Sequence, residues 1–185
     1  RLSRGLGDVY KRQDTPFAIQ SLLIIDPQAG NNNSVQLLNP ATENACLNQT
    51  WIHNPAAHDP DGDLLTYSLV PSRGFGGEFI PTYVYPDEVS SADDMFTIDG
   101  NTGDITWNTP QIAGEYNVAI RIEEWRDVGG TLRKVGEVTR DLQVDVQLCA
   151  NQPPKIVALS DTCVLAGEVI TFNVFASDPD GDGVT

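Results

Sequence analysis

An acidic turn that occurs twice constrains this chain more than any other feature. His58-Asp59-Pro60-Asp61-Gly62-Asp63-Leu64-Leu65-Thr66-Tyr67 returns as Ser177-Asp178-Pro179-Asp180-Gly181-Asp182-Gly183-Val184-Thr185, 119 residues later (178 − 59). A single Asp-Pro-Asp-Gly-Asp run is weak as a sign. Two of them at a domain-sized interval, inside similar flanks, mark an internal repeat. The cysteines keep nearly the same step: Cys46 and Cys163 are 117 apart (163 − 46), and each precedes a Trp or Phe strand leading into the turn. The 185 residues are therefore expected to hold one complete module, residues 35 to 150, and the start of a second, residues 151 to 185. Asn151-Gln152-Pro153-Pro154 sets the boundary, because a Pro pair stiffens an extended linker.

The two ends need separate readings. Asp8-Val9-Tyr10-Lys11-Arg12-Gln13 back-translates onto a sequence resembling the transposon-end adapter used to fragment DNA for sequencing. Residues 1 to 13 are thus expected to be non-native and are set aside from fold reasoning; the alternative is a basic N-terminal arm. They carry +3 (four basic residues less Asp8), so the net charge of −15 becomes −18 without them. Residues 14 to 34 read as the tail of a preceding domain and a linker. Ile19 to Ile25 is a short apolar strand closed by Asp26-Pro27, and Asn31-Asn32-Asn33-Ser34 is the polar connection. With no initiator Met and no signal peptide, the chain reads as an internal fragment.

From Thr50 onward the pattern is short strands separated by turn chemistry. Leu64 to Val70 is a β-rich run ended by Pro71, and Arg73-Gly74-Phe75-Gly76-Gly77 reads as a flexible loop. Met95 to Ile98 is a strand that turns through Asp99-Gly100-Asn101-Thr102-Gly103 into Asp104 to Trp107. Glu115 to Glu124 alternates, with Tyr116, Val118, Ile120 and Ile122 on one face. A period of two is the mark of a half-buried strand. Asp127-Val128-Gly129-Gly130 is a hairpin turn, and the return strand runs from Leu132 to Leu148. No stretch shows a helical period. The expected fold is an all-β, antiparallel β-sandwich. Hydrophobic content of 40% suffices for its core, and no apolar run approaches the roughly 18 residues of a membrane span. A charge of −15 argues against nucleic acid or an anionic membrane as partner.

Asp59, Asp61 and Asp63 lie at alternate positions and can converge on one hard cation, with Gly62 allowing the sharp bend. The same holds for Asp178, Asp180 and Asp182. This is not an EF-hand, since Gly stands fourth from Asp59 and position twelve is Val70. Calcium is the candidate ion; the alternative is a plain turn in which Asp caps backbone N–H groups and Pro sets φ. Glu123 and Glu124 do not make an acid/base pair, because neighbours on a strand point to opposite faces. Pairing of Arg126 or Arg140 with an acidic neighbour is the expected role of charge there. His53 and His58 read as surface turn residues, with no nucleophile at a suitable spacing. Neither a phosphate loop nor a paired-Cys zinc spacing is present. By repeat phase, Cys46 opens the complete module and Cys149 closes it, which predicts a Cys46–Cys149 disulfide and leaves Cys163 without its partner. Three reduced, buried thiols are the alternative.

Met95-Phe96-Thr97-Ile98-Asp99 followed by Thr102-Gly103-Asp104-Ile105-Thr106 resembles the strand-turn-strand signature of cadherin-like domains. Asn54 to Asp63, Trp107-Asn108-Thr109-Pro110-Gln111, Glu123-Glu124-Trp125-Arg126 and Arg140-Asp141-Leu142-Gln143 extend that likeness. Together they resemble the tandem immunoglobulin/cadherin-like modules of gliding-motility-associated surface proteins in gram-negative gliding bacteria. The resemblance spans roughly residues 16 to 185. It implies export by the type IX route, a cell-surface location and a long multi-repeat parent. It also implies that Glu123, Glu124 or Asp141 completes a calcium shell begun by the turn.

Two functions follow. The first is a non-catalytic structural and adhesive module whose partners are neighbouring repeats and an extracellular polysaccharide or protein. The second is an accessory, carbohydrate-binding or spacer domain of a secreted hydrolase. Under the second, Trp51, Trp107 and Trp125 would stack sugar rings if two of them lay exposed on one face.

Overall fold

The computed structural model describes residues 19–80, 83–92, 94–152, 154–157, 163–165 and 167–184, leaving out the side chain of Phe75. Residues 1 to 13 and Pro153 of the boundary, on which expectations fell, lie outside these. The described residues form two units, one ending at Leu148 and one starting at Cys149. The first holds β1 (Gln20–Leu23), β2 (Gln36–Leu37), β3 (Thr42–Cys46), β4 (Trp51–His53) and β5 (Ala57–His58). It continues with β6 (Leu64–Val70), β7 (Phe96–Ile98), β8 (Ile105–Trp107), β9 (Gly114–Asp127) and β10 (Leu132–Gln147). The second unit holds β11 (Lys155–Ile156) and β12 (Ala176–Ser177). None of the described helices is long and apolar enough to cross a membrane.

The hairpin of β9 and β10 is the spine. Its turn closes where the sequence placed it, with the Val128 N–H donating to the Thr131 carbonyl at 2.9 Å. Along β9, Tyr116, Val118, Ile120 and Ile122 are all buried, as their alternation predicts. Leu142, Val144 and Val146 do the same on β10. These residues form the inner face of a five-stranded sheet ordered β1-β10-β9-β6, with β3 pairing parallel to the last part of β10. A three-stranded antiparallel sheet, β4-β8-β7, supplies Trp51, Phe96, Ile105 and Trp107 to the same hydrophobic cluster. Two sheets sharing one core make a β-sandwich. Trp107 sits at its centre, 1% exposed, edge-on to Phe96 (5.6 Å) and to Tyr116 (4.8 Å). Such aromatic pairs add about 0.5–1.5 kcal/mol each beyond their buried area.

Three places differ from the sequence reading. Residues 20–23, expected as the tail of a preceding domain, form the outer strand of this sheet, with Gln20 opposite Thr139 and Leu23 opposite Gly136. The apolar run at 19–25 announces the strand, but all four β1 side chains are exposed, so nothing in their pattern ties it to this sheet. The Gly-rich stretch after Arg73, expected as a flexible loop, contains a short turn closed by a bridge. Phe75–Gly77 is a 3-10 turn, Arg73 bridges to Phe79, and its guanidinium lies 4.2 Å from the Phe79 ring centre. His53, expected at the surface, is 4% exposed; its ring stacks parallel to Trp51, and Nδ1 lies 3.0 Å from Glu43 Oε1.

The second unit repeats the first in register. Gln36 pairs with His58 and Leu37 with Ala57; Lys155 pairs with Ser177 and Ile156 with Ala176. Each partner is displaced by 119 residues (155 − 36, 177 − 58). The flanking bond repeats too, Leu38 N–H to the Ala56 carbonyl and Val157 N–H to the Phe175 carbonyl.

The core assignment predicts a sharp contrast in stability. Trp107→Ala removes the central ring and should cost about 3–5 kcal/mol in urea unfolding. Ile52→Ala, on the outer face of β4 and 64% exposed, should change stability by no more than about 0.5 kcal/mol. Similar losses for the two would show that Trp107 does not anchor the sandwich.

Candidate functional site

Asp59 organises the acidic turn. Its Oδ1 accepts the backbone N–H groups of Asp61 (2.9 Å) and Asp63 (3.0 Å), and the Gly62 N–H donates to its carbonyl (3.3 Å). Pro60 presets φ, and Gly62 takes φ +79°, a left-handed conformation that suits a residue without Cβ. The bend turns three carboxylates inward. Donor oxygens from Asp59, Asp61 and Asp63 all lie within 4.8 Å of one another, so the group could hold a metal ion. Asp59 is 7% exposed, and its Oδ2 is buried with no hydrogen-bond partner among the described residues.

A guanidinium already stands at this cluster. Arg126, near the end of β9, grips Asp63 with Nε on Oδ1 (2.7 Å) and Nη2 on Oδ2 (2.5 Å). The planar fork matches the carboxylate bidentately, the strongest geometry such a pair has. Nη2 also reaches Asp61 Oδ2 (3.1 Å) and Asn32 Oδ1 (2.9 Å). Nη1 donates to the carbonyls of Ala29 (3.0 Å) and Asn31 (2.7 Å). Asp61 is tied down a second time, by the Asn33 backbone N–H (2.6 Å) and the Asn33 side-chain amide (2.8 Å). The polar run 31–33 is thus a bound strap across the turn.

The other acidic residues take separate places. Glu124 faces inward, 0% exposed, and accepts the Val35 N–H and the Asn32 side-chain amide (2.8 Å). It lies over the bulge that separates Lys134 from Gly136 in the β9–β10 register. A Cβ at Gly136 would sit 1.6 Å from Glu124 Oε2, which explains glycine there. Glu123 points the other way and pairs with Lys134 Nζ (2.5 Å). Asp141 is buried on β10. None of the three joins the carboxylate group of the turn, so the completing ligands implied by the resemblance are not gathered here. Of the two arginines considered, Arg126 makes the acidic pair among the described residues. Burial lowers the basicity of Arg140, whereas Asp63, by hydrogen bonding, raises that of Arg126.

The second turn keeps the same backbone design. Asp178 Oδ1 accepts the N–H groups of Asp180 (2.8 Å) and Asp182 (3.3 Å), and Gly181 donates to the Asp178 carbonyl (3.2 Å). Asp180 accepts the Gln152 N–H, as Asp61 accepts that of Asn33. The strap residue precedes the middle Asp by 28 residues in both units (61 − 33, 180 − 152). That equal spacing follows from the 119-residue repeat, and no signal in the sequence alone shows that the polar run binds the turn. Among the described residues, only Asp59, Asp61 and Asp63 gather as a possible ligand group; Asp178, Asp180 and Asp182 do not.

Cys46 and Cys149 are disulfide-bonded, and Cys163 is free and exposed. Trp51 and Trp107 are buried, and Trp125 is half-buried with Nε1 donating to Thr66 Oγ1 (3.0 Å). They do not form the exposed pair that sugar stacking requires.

No protein-family model matches the chain, and no curated protein matches it. Among solved structures, the chain is similar to a Bacteroides fragilis protein provisionally assigned as an alpha-galactosidase. Identity is 11% and the TM-score 0.39, over 61% of this chain and 17% of the other. A likeness at that level carries no argument about function.

The hydrogen bonds give the site a defined acid limb. The Asn33 backbone N–H, then the Asn33 side chain and Arg126, hold Asp61 below the ordinary carboxylate range. The Gln28 N–H and Arg133 do the same for Asp26, and the Thr102 and Asn101 N–H groups for Asp99. A carboxylate lowered in the folded state contributes stability that is complete above its unfolded value, about pH 4. That contribution is lost as pH falls through the lowered values. The melting temperature should therefore drop below about pH 4, and Asp61→Asn should shallow that drop. An unchanged acid slope in Asp61→Asn would show that the bonds from Asn33 and Arg126 to Asp61 contribute no stability that depends on its ionisation.

Proposed function

We propose that this chain is a non-catalytic extracellular repeat module, a spacer and adhesive surface in a long secreted cell-surface protein. The observation that carries the reading is the repetition, at a 119-residue step, of the strand pair, the backbone bonds of the acidic turn and the strap bond to its middle Asp. A chain that builds the same junction twice uses it as architecture. The charged groups gathered near it are consumed in structural hydrogen bonds, which supports a role without chemistry. Disulfide-bonded Cys46 and Cys149 favour an oxidising compartment, consistent with export and surface display. Neighbouring repeats of the same protein are the first partners on this reading, and an extracellular polysaccharide or protein the distal one. The resemblance to gliding-motility-associated repeats adds the type IX route.

Calcium is the ion we assign to the turn when a metal enters it. Carboxylates in a flexible all-oxygen setting suit calcium better than magnesium, which demands a tighter octahedral shell. An accessory role beside a secreted hydrolase is the second reading. The burial of Trp51 and Trp107 removes the stacking platform that would have favoured it.

Two measurements test the first reading. Antibody raised against the chain should label intact cells of the source organism, and signal seen only after permeabilisation would sink surface display. Reduction should lower stability by on the order of 4 kcal/mol, the chain-entropy value for a loop of about 100 residues. A melting curve unaffected by reductant would remove the disulfide from the argument for export.

A further inference from the structure

We infer that Arg126 is the resident counter-cation of the first acidic turn, and that a divalent ion enters that turn only by displacing it. The inference deepens the calcium assignment above and rests on it. Every oxygen of Asp61 and Asp63 is already engaged, by Asn33, by Arg126 or by both. Calcium takes six to eight oxygens, waters included, and would have to compete with these hydrogen bonds for the carboxylates that anchor it. Asp59 Oδ2 is the exception, buried and without a hydrogen-bond partner among the described residues. Formal charge gives the site its residual affinity. Three carboxylates against one guanidinium leave −2, whereas against one divalent ion in its place they would leave −1. The guanidinium carries only +1, but it adds directed bonds to Ala29, Asn31 and Asn32 that no ion at the turn would replace.

Displacement has a mechanical consequence. Arg126 joins three stretches distant in sequence: the strap at 29–32, the turn at 61–63 and the end of β9. Withdrawing it frees the strap from β9 except through Asn32 and Val35 on Glu124. In this repeat, then, the junction is fastened without metal, and a high calcium load loosens the strap instead of stiffening it.

The test uses the full chain with Asp180→Asn and Asp182→Asn, which silences the second turn. Melts are taken in EDTA, in millimolar calcium chloride and in potassium chloride of matched ionic strength, which controls for screening. With Arg126 present, calcium should move the midpoint no more than potassium chloride does. In Arg126→Gln, calcium should raise it by several degrees, and adding Asp61→Asn should abolish that rise. A calcium shift as large with Arg126 as without it overturns the displacement but leaves the calcium assignment standing. No calcium response in Arg126→Gln overturns both. Arg126→Lys gives a second comparison should the glutamine variant not fold, because lysine keeps the charge and loses the fork; it should respond to calcium where the arginine chain does not. In the unmutated chain, the Asn33 amide should keep its hydrogen-exchange protection in millimolar calcium. Its loss there would show that the ion enters without the barrier assigned to Arg126.

Discussion

The fork of Arg126 on Asp63 is the interaction on which the local order of this module depends. Asp63 has a side chain 3% exposed and Arg126 one 18% exposed, so neither charge is well hydrated. Taking a carboxylate and a guanidinium out of water costs several kcal/mol per ion, recovered only with good geometry and satisfied remaining donors. Both conditions hold. The fork is bidentate, and the other donors find Ala29, Asn31, Asn32 and Asp61. The pair therefore acts less as a source of net stability than as a device of specificity. It accepts one arrangement of strap, turn and strand, and any other leaves a buried charge unpaired.

Glu124 has the same logic one step inward. Fully buried on β9, it is met by the Val35 N–H and the Asn32 amide. Asn32 in turn presents its carbonyl oxygen to Arg126, so one side-chain amide links the two charges. Glycine at 136 gives the carboxylate its room, and the bulge beside it places that glycine under Glu124. Sheet register, glycine placement and polar strap are thus one problem solved together. The cost of an unsatisfied polar group in a low-dielectric setting makes each part depend on the others.

What was legible in the sequence follows from the range of the forces involved. Alternation at Tyr116, Val118, Ile120 and Ile122 reports burial directly, because period two and a half-buried sheet are the same fact. The hairpin at 127–130 and the bend at Gly62 are local, and local turn chemistry writes itself into adjacent residues. At β1 the apolar run showed a strand but not the sheet it joins, since its attachment is backbone to backbone and its side chains are exposed. His53 misled for a different reason. A solitary histidine just before Asn54-Pro55 looks like a turn residue, yet Glu43 and the Trp51 ring give it a buried place on β4. The grip of Arg126 joins residues 94 to 97 positions away in the strap and 63 to 65 in the turn, and no local pattern encodes such separations. The strap is seen only in the fold, where Asn33 meets Asp61 and Gln152 meets Asp180 at equivalent positions one repeat step apart.

That step also explains why the turn consists of alternating aspartates. The first carboxylate is spent on the turn's own backbone: Asp59 and Asp178 each accept two N–H groups and fix the bend. The second is spent on the incoming chain, Asp61 on Asn33 and Asp180 on Gln152. In the first unit the third, Asp63, is spent on the arginine of β9. Position two of the pattern must be a residue with fixed φ and position four one that adopts positive φ, which leaves Pro and Gly. The motif that looks like a cation site in sequence is thus, in this repeat, a three-way hydrogen-bond acceptor. An acidic run is as well suited to collecting N–H groups as to collecting a metal.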